Sequence, residues 1–216
     1  MKIKIVVPNS LGEITLGQYQ EYLKETKEQD KSSYLQTKMI EIFCNMKIEN
    51  IIKMKAKDIN SIVQIITDIF DQKPSLIKRF KLNGIEYGFV PNLDEISFGE
   101  YVDLDTYIGD WDYMERAMAV LYRPIKQKHK LKYSIEEYKA ENQEVMKDMP
   151  LDAVFSSILF FYHLGIDLSK AMTNYLEETQ QAHLLQYLNS QPSGVGFNQF
   201  THSLKEMLEG LKISLS

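Results

Sequence analysis

The chain has 216 residues, 44% of them hydrophobic and 25% charged, and this ordinary balance excludes disorder along its whole length. The net charge of −5 provides no general attraction to nucleic acids or to anionic membranes. A single cysteine, Cys44, excludes an intramolecular disulfide, and its apolar neighbours Ile42 and Phe43 indicate a buried, unreactive thiol. We therefore expect a soluble, folded protein of a reducing compartment.

The first third of the chain is predicted to form a strand followed by helices. Residues 2–7 alternate and are β-branched, which predicts a short strand. Thr15 and Gln18 fit a capping box, in which the threonine oxygen accepts from the third helical amide and the glutamine reaches back. A helix should therefore run to about Lys27. Apolar residues at helical spacing predict further helices over residues 34–46, 48–54 and 58–71.

The clearest local signal is Asn83-Gly84, which lies between the strand-like runs 77–82 and 85–90. Asn-Gly in this position predicts a β-hairpin, because a type I′ turn requires positive φ at both central residues. We expect the N-terminal strand to join this hairpin in a small antiparallel sheet.

The stretch 90–101 repeats the order of features in the stretch 7–19. Each runs from a Val-Pro-Asn turn through Glu-Ile to a capping box, a glycine and a tyrosine. One interpretation is an internal duplication of a strand-turn-helix unit, spanning residues 1–27 and 77–108. The other is that strand-to-helix junctions reuse the same capping chemistry.

The second half of the chain is predicted to be helical apart from one connector. Pro124 should end the first of its helices, and Gly165 should end the most apolar one. That apolar run is shorter than the ~20 residues that span a bilayer, so we expect a buried core helix. The lysines of the connector are predicted to be solvated, with contact to nucleic acid as the alternative. The predicted elements are a helix over 111–122, the basic connector over 126–132, a polar helix over 134–146, the apolar helix over 151–164 and an amphipathic helix over 169–188.

These elements predict an α+β fold that is predominantly α-helical, a helical bundle with a small sheet made of the N-terminal strand and the Asn83-Gly84 hairpin. Residues 1–190 are predicted to form one domain, and residues 191–216 a linker followed by a C-terminal amphipathic helix. The apolar stripe of that helix is the predicted partner-binding site, because such stripes dock in grooves of other proteins. Packing on its own domain is the alternative. The stripe consists of Phe197, Phe200, Leu204, Met207, Leu208 and Leu211.

No catalytic, cofactor-binding or metal-binding residues are predicted. Residues 194–196 begin a glycine-rich phosphate-binding pattern, but Gln199 stands where its third glycine should be. The histidines lack the close spacing of zinc ligands. His163 lies on the apolar helix and is predicted to be a core residue. The histidines predicted to lie at the surface are His129, His183 and His202.

Seven acidic residues are concentrated between positions 95 and 115. They do not form a calcium loop, because Ile108 and Met114 stand where that pattern requires glycine and glutamate. We predict a solvated face, favoured near helix N-termini, with a docking surface for a basic partner as the alternative. The residues are Glu95, Glu100, Asp103, Asp105, Asp110, Asp112 and Glu115.

Three short motifs lie between residues 89 and 161. Residues 119–124 read Ala-Val-Leu-Tyr-Arg-Pro, residues 133–138 read Tyr-Ser-Ile-Glu-Glu-Tyr, and residues 149–155 begin Met-Pro-Leu and end in Phe. This order resembles small virion-morphogenesis proteins of tailed bacteriophages, tail assembly chaperone-like proteins among them. The resemblance implies no cofactor and no catalytic residues. It implies a protein partner, namely another virion protein that is long and rich in helix.

The leading hypothesis is therefore a non-enzymatic assembly protein that binds another virion protein, such as a tail protein, in the cytoplasm of the bacterial host. A second hypothesis is a structural component of the particle, as a connector, tail or internal protein. A third is an enzyme whose site is assembled from scattered carboxylates. The predicted partners are other phage virion proteins rather than membranes or nucleic acid, and a homo-oligomer is compatible with each hypothesis.

Overall fold

The computed structural model describes residues 5–28, 31–130 and 132–178. The fold is α+β and predominantly helical, with a small antiparallel sheet, as predicted. Its α-helices are α1 (Leu16–Glu28), α2 (Ser32–Phe43), α3 (Ile48–Ile51), α4 (Ala56–Phe70), α5 (Phe98–Tyr107), α6 (Met114–Leu121) and α7 (Leu151–Glu178). Its strands are β1 (Arg79–Leu82), β2 (Ile85–Phe89), β3 (Tyr122–His129) and β4 (Lys132–Ile135). Short 3-10 helices cover Leu11–Glu13, Leu93–Glu95, Trp111–Tyr113 and Ala140–Asp148.

The four strands form one antiparallel sheet in the order β1-β2-β3-β4. The predicted hairpin is confirmed: Leu82 pairs with Ile85 across the turn, where Asn83 has φ 50° and Gly84 has φ 79°. Both central residues thus adopt the left-handed conformation that an Asn-Gly turn favours.

The predicted contribution of the N-terminal strand to the sheet is wrong for the residues that are described. Residues 5–9 contain no strand, and residues 2–4 of the predicted strand lie outside the described residues. The remaining two strands, β3 and β4, instead occupy the predicted basic connector and the start of the predicted polar helix. Beyond Ile125 the side chains of β3 are polar and exposed. The hydrophobic pattern of these residues therefore does not indicate a strand. Backbone hydrogen bonds with β2 and β4 hold them in the extended conformation.

The predicted helices of the N-terminal half are confirmed as α1 to α4, with small shifts at their ends. In the second half, α7 continues through Gly165, so the predicted helix end at that residue is wrong. A glycine in a helix interior costs only about 1 kcal/mol relative to alanine. Leu164 and Ile166, which flank this glycine, are partly buried against the core, and their burial offsets the cost.

The core is centred on the first half of α7. Phe155 is buried, and its ring centroid lies 5.6 Å from that of Tyr19 in α1 and 5.9 Å from that of Trp111. Farther along the helix, the ring of Phe161 lies 6.2 Å from that of Phe89 in β2. One helix therefore packs against both the N-terminal helices and the sheet.

The start of α1 is hydrogen-bonded to the residues that immediately precede α7. Thr15 N donates to Gln18 Oε1 over 3.0 Å and Gln18 N donates to Thr15 Oγ1 over 3.2 Å, which confirms the predicted capping box. Thr15 also forms an isolated antiparallel bridge with Pro150. Leu16 N donates to Met149 O over 3.0 Å.

The proposed duplication and the domain boundaries remain predictions. The junctions before α1 and α5 both contain a 3-10 turn, at Leu11–Glu13 and Leu93–Glu95, followed by a capping box. The predicted linker and C-terminal helix, residues 191–216, lie outside the described residues. Within the described ranges, no helix is both long enough and apolar enough to cross a membrane.

Candidate functional site

Helix α5 begins at a complete capping box. Ser97 N donates to Glu100 Oε2 over 2.6 Å, and Glu100 N donates to Ser97 Oγ over 3.3 Å. These two bonds satisfy amide groups that the first helical turn leaves without partners. On the inner side of α5, Leu104 is buried and the helix packs against α6. The orientation of α5 on the protein body is therefore well defined.

The outer side of α5 is apolar and exposed over the first five residues of the helix. Phe98 is 81% exposed, Tyr101 46% and Val102 42%. Residues three and four positions apart lie on the same face of a helix, so these side chains form one stripe. A single exposed apolar residue is ordinary, whereas a contiguous apolar face on a helix is typical of an interaction site.

An apolar pocket of about 170 Å³ lies beside this stripe, between α5 and α7. Tyr101 belongs to both the stripe and the pocket wall. The other wall residues are Leu93, Ile96, Leu104, Asp105, Phe161 and Leu164. Phe98, Tyr101 and Val102 together with this pocket form the α5 surface.

A larger, polar cleft of about 630 Å³ adjoins the α5 surface, and Ile96 lines both cavities. One wall is the connection from β2 to α5, and the other is β4 with the residues that follow it. Its lining residues are Val90, Pro91, Asn92, Glu95, Ile96, Ser97, Glu100, Arg123, Tyr133, Ser134, Ile135, Glu136, Glu137 and Tyr138.

An ion pair lies in this cleft. Arg123 Nη1 of β3 lies 2.6 Å from Glu100 Oε1 of α5. Burial raises the pKa of Glu100, but the hydrogen bonds with Ser97 and the charge of Arg123 outweigh it, so the net pKa lies below its ordinary value. Glu100 is thus held as a carboxylate at neutral pH, and its oxygens are already engaged by Ser97 and Arg123.

A second bond joins Tyr138 in the wall of the cleft to α5. Tyr138 Oη donates to Asp103 Oδ2 over 2.8 Å. Burial, with this hydrogen bond to the carboxylate, raises the pKa of Tyr138 to about 12. The phenol therefore stays protonated and remains a donor to Asp103 at physiological pH.

The predicted solvated acidic face is wrong for two of its seven residues. Glu100 is buried against Arg123, and Glu115 is buried and accepts from Gln20 Nε2 over 2.7 Å. The spacing of the acids could not show this, because both partners are distant in sequence. The exposed members are Glu95, Asp105, Asp110 and Asp112.

The charge around α5 is nevertheless strongly negative. Residues 91–115 contain eight acidic residues and neither lysine nor arginine. Two of the eight, Asp94 and Glu95, lie exposed immediately before α5, and exposed Asp105 lies at the rim of the apolar pocket. The apolar stripe is thus bracketed by carboxylates along the chain.

The other predicted residues divide into three groups. The whole C-terminal stripe, from Phe197 to Leu211, lies outside the described residues. His129 is exposed as predicted, whereas the prediction that His163 is a core residue is wrong, because its side chain faces away from the buried side of α7. Cys44 is buried as predicted, and burial raises the pKa of its thiol to about 11.

Two features of this candidate site were not predicted from the sequence. The ion pair between Glu100 and Arg123 had no local signal, because β3 was not predicted. The spacing of Phe98, Tyr101 and Val102 was visible, but a three-residue stripe on a short helix fits a core face equally well. Among the residues described, no group of three or more histidine, cysteine, aspartate or glutamate residues has the geometry to hold a metal ion.

No family model, no curated protein and no solved structure matches this chain.

Proposed function

We propose that the protein is a non-enzymatic binding protein that acts in bacteriophage virion assembly by holding another virion protein on the α5 surface. The observation that carries this proposal is the exposed stripe of Phe98, Tyr101 and Val102 beside an apolar pocket. Large aromatic side chains next to a pocket are the features that dominate protein–protein binding energy. An assembly role is supported by the resemblance of residues 89–161 to phage morphogenesis proteins, a stretch that includes α5.

The polar cleft supports binding better than catalysis. Its most buried carboxylate, Glu100, already accepts from Ser97 and pairs with Arg123. A general acid near neutral pH requires a raised pKa, whereas the pKa of Glu100 is lowered. The ion pair is better suited to fixing α5 against the sheet, which holds the α5 surface in a constant orientation.

A capture experiment tests the proposal. Tagged wild-type protein and the Phe98→Ser/Tyr101→Ser variant are incubated with lysate of infected cells, and captured proteins are identified by mass spectrometry. We expect the wild type to retain one virion protein and the variant to lose it. Ile52→Ser is the matched control, because Ile52 is 71% exposed and lies at the end of α3. Loss of capture in this control, or equal capture by all three proteins, would contradict the proposal.

Mass spectrometry of purified particles separates an assembly factor from a structural component. An assembly factor should be missing from mature particles, whereas a connector, tail or internal protein should be present at fixed copy number. The proposal of an assembly factor is wrong if the protein is found in particles at stoichiometric level. The α5 surface would then be a contact within the particle.

The C-terminal stripe from Phe197 to Leu211 is proposed as a second contact with the partner. We expect the protein that lacks residues 192–216 to remain folded, as judged by its circular dichroism spectrum, and to capture the partner more weakly. Unfolding of the truncated protein would show instead that this segment belongs to the core.

A further inference from the structure

We infer that the α5 surface takes an amphipathic helix whose apolar residues are flanked by lysine or arginine. This inference rests on the proposed function and names the chemistry of the partner. It is carried by two independent features of the described residues, the apolar stripe with its pocket and the carboxylates that bracket them.

The charge distribution selects a basic partner. Exposed Asp94 and Glu95 precede the stripe, and Asp105 follows it at the rim of the pocket. The adjoining cleft adds exposed Glu136 and Glu137. Complementary charges at the rim of an interface raise association rates, and like charges exclude wrong partners. An acidic apolar segment would therefore be rejected, and a basic one favoured.

The form of the surface selects a helix. An extended peptide binds by pairing with unpaired backbone groups at a sheet edge, and a helix offers none along its length, because its amides and carbonyls bond to each other. A helical stripe instead packs against a second helix by ridges and grooves. The pocket that opens beside Tyr101 has room for one large apolar side chain of such a helix.

Within the part of the chain that the structure describes, no segment combines a surplus of lysine with an apolar-faced helix of several turns. Residues 47–57 carry four lysines beside exposed Ile48 and Ile52, but α3 covers only four of these residues. In residues 179–216, Lys205 and Lys212 are balanced by Glu206 and Glu209. Lys126, Lys128 and Lys132 belong to β3 and β4 rather than to an apolar-faced helix. The partner is therefore a separate protein, and occupation by a second copy or by the C-terminal segment is an outcome that the experiment distinguishes.

The test is a selection from a displayed library of random peptides about 16 residues long, a little over four helical turns. The full-length wild-type protein is the target of the selection. The Phe98→Ser variant is the counter-selection target, which removes peptides that bind elsewhere on the protein. We expect the Phe98-dependent peptides to carry apolar residues three and four positions apart with a surplus of lysine and arginine. Recovery of neutral or acidic peptides, or of no Phe98-dependent peptide, would overturn the inference.

The most enriched peptide is then measured against charge variants. The Asp94→Asn/Glu95→Gln/Asp105→Asn variant should bind it at least about tenfold more weakly, and added salt should weaken wild-type binding. The control, Asp58→Asn/Asp68→Asn/Asp71→Asn, removes the same number of exposed acids along α4 and should change the Kd less than about twofold. Equal loss in both variants would overturn the inference, because only the net charge would then matter.

Two further outcomes identify other occupants. Protein that elutes as a dimer, and becomes monomeric in the Phe98→Ser variant, would assign the surface to a second copy. Peptide binding that strengthens on deletion of residues 192–216 would assign it to the C-terminal segment. Either result overturns the inference of a separate basic helix. The capture experiment with infected-cell lysate decides the proposed function independently, since it does not depend on the charge of the partner.

Discussion

Arg123 of β3 and Glu100 of α5 form an ion pair in which Nη1 and Oε1 lie 2.6 Å apart. Their side chains are only 12% and 10% exposed. Glu100 also accepts from Ser97 N at the start of α5. One carboxylate therefore caps the helix and ties it to the sheet, so the orientation of the α5 surface depends on it.

Glu100→Gln is expected to destabilise the protein by about 2 kcal/mol, because the guanidinium of Arg123 is left largely buried without a counter-charge. Glutamine can still complete the capping box with Ser97, so the variant removes the charge and keeps the cap. Urea denaturation measures the change. The control is Glu95→Gln, an exposed acid of the same cleft, which should cost less than about 0.5 kcal/mol. Equal stability of both variants would show that the ion pair contributes little.

The difference in stability between wild type and Glu100→Gln should depend on pH. The pKa of Glu100 is lowered in the folded protein, so the unfolded chain binds its proton more tightly. The stabilisation is complete above the ordinary glutamate pKa of about 4.3 and is lost as the pH falls through the folded value. Denaturation at several pH values between about 7 and 3 should show the two proteins converging in acid. A constant difference would assign the effect to packing.

Gly88→Ala should destabilise the sheet by about 1–3 kcal/mol. A Cβ at this position would overlap the ring of Tyr133 and lie 3.0 Å from Cγ1 of Ile125. Tyr133 is held across β2 because its hydroxyl donates to Phe89 O over 2.8 Å. The thermal midpoint measures the loss, which should be smaller in a Tyr133→Ser background, where the overlapping ring is absent.

Gly99→Ala is the matched control for the substitution at Gly88. Apart from its chain neighbours and the backbone of α5 itself, no atom lies within 4 Å of a Cβ built at Gly99, which is in the first turn of the helix. Alanine forms helix better than glycine by up to about 1 kcal/mol, so this variant should be neutral or more stable. Similar losses at both glycines would show that backbone freedom, rather than the ring of Tyr133, sets the cost.

The thiol of Cys44 should react slowly in the folded protein. Burial raises its pKa to about 11, so little thiolate exists at pH 8, and the side chain is covered. Reaction with a disulfide reagent at about pH 8 should be more than about 100-fold slower than in urea, on the thiolate fraction alone. Equal rates would mean that the region around α2 opens readily.

The elements that sequence predicted well are those with local chemistry. The turn at Asn83-Gly84 needs only two residues that tolerate positive φ, and the cap of α1 needs only Thr15 and Gln18. Strand β3 was not predicted, because its polar half lacks a hydrophobic alternation and its pairing with β2 and β4 is not visible in the local sequence. The burial of Glu100 was not predicted for the same reason, because it is strand β3 that brings Arg123 to this carboxylate.

The candidate site was only partly accessible from sequence. The concentration of acids after position 91 is visible without a structure, and a docking surface for a basic partner was one of its two interpretations. The direction of the stripe on α5 was not accessible, because amphipathic spacing shows that a helix has two faces but not which one is covered. Packing of Leu104 inward and exposure of Phe98 outward resolve this.

The bridge between Thr15 and Pro150 has a consequence for synthesis on the ribosome. Helix α1 emerges early, but Leu16 N can donate to Met149 O only after residue 149 has left the exit tunnel. Tyr19 lacks Phe155, the aromatic partner that α7 supplies, until residue 155 has emerged as well. Contacts between segments so far apart form late and slow the folding reaction. Most of the chain must therefore be translated before the start of α1 can be fixed against α7, and the nascent protein exposes the apolar surface between them throughout that interval.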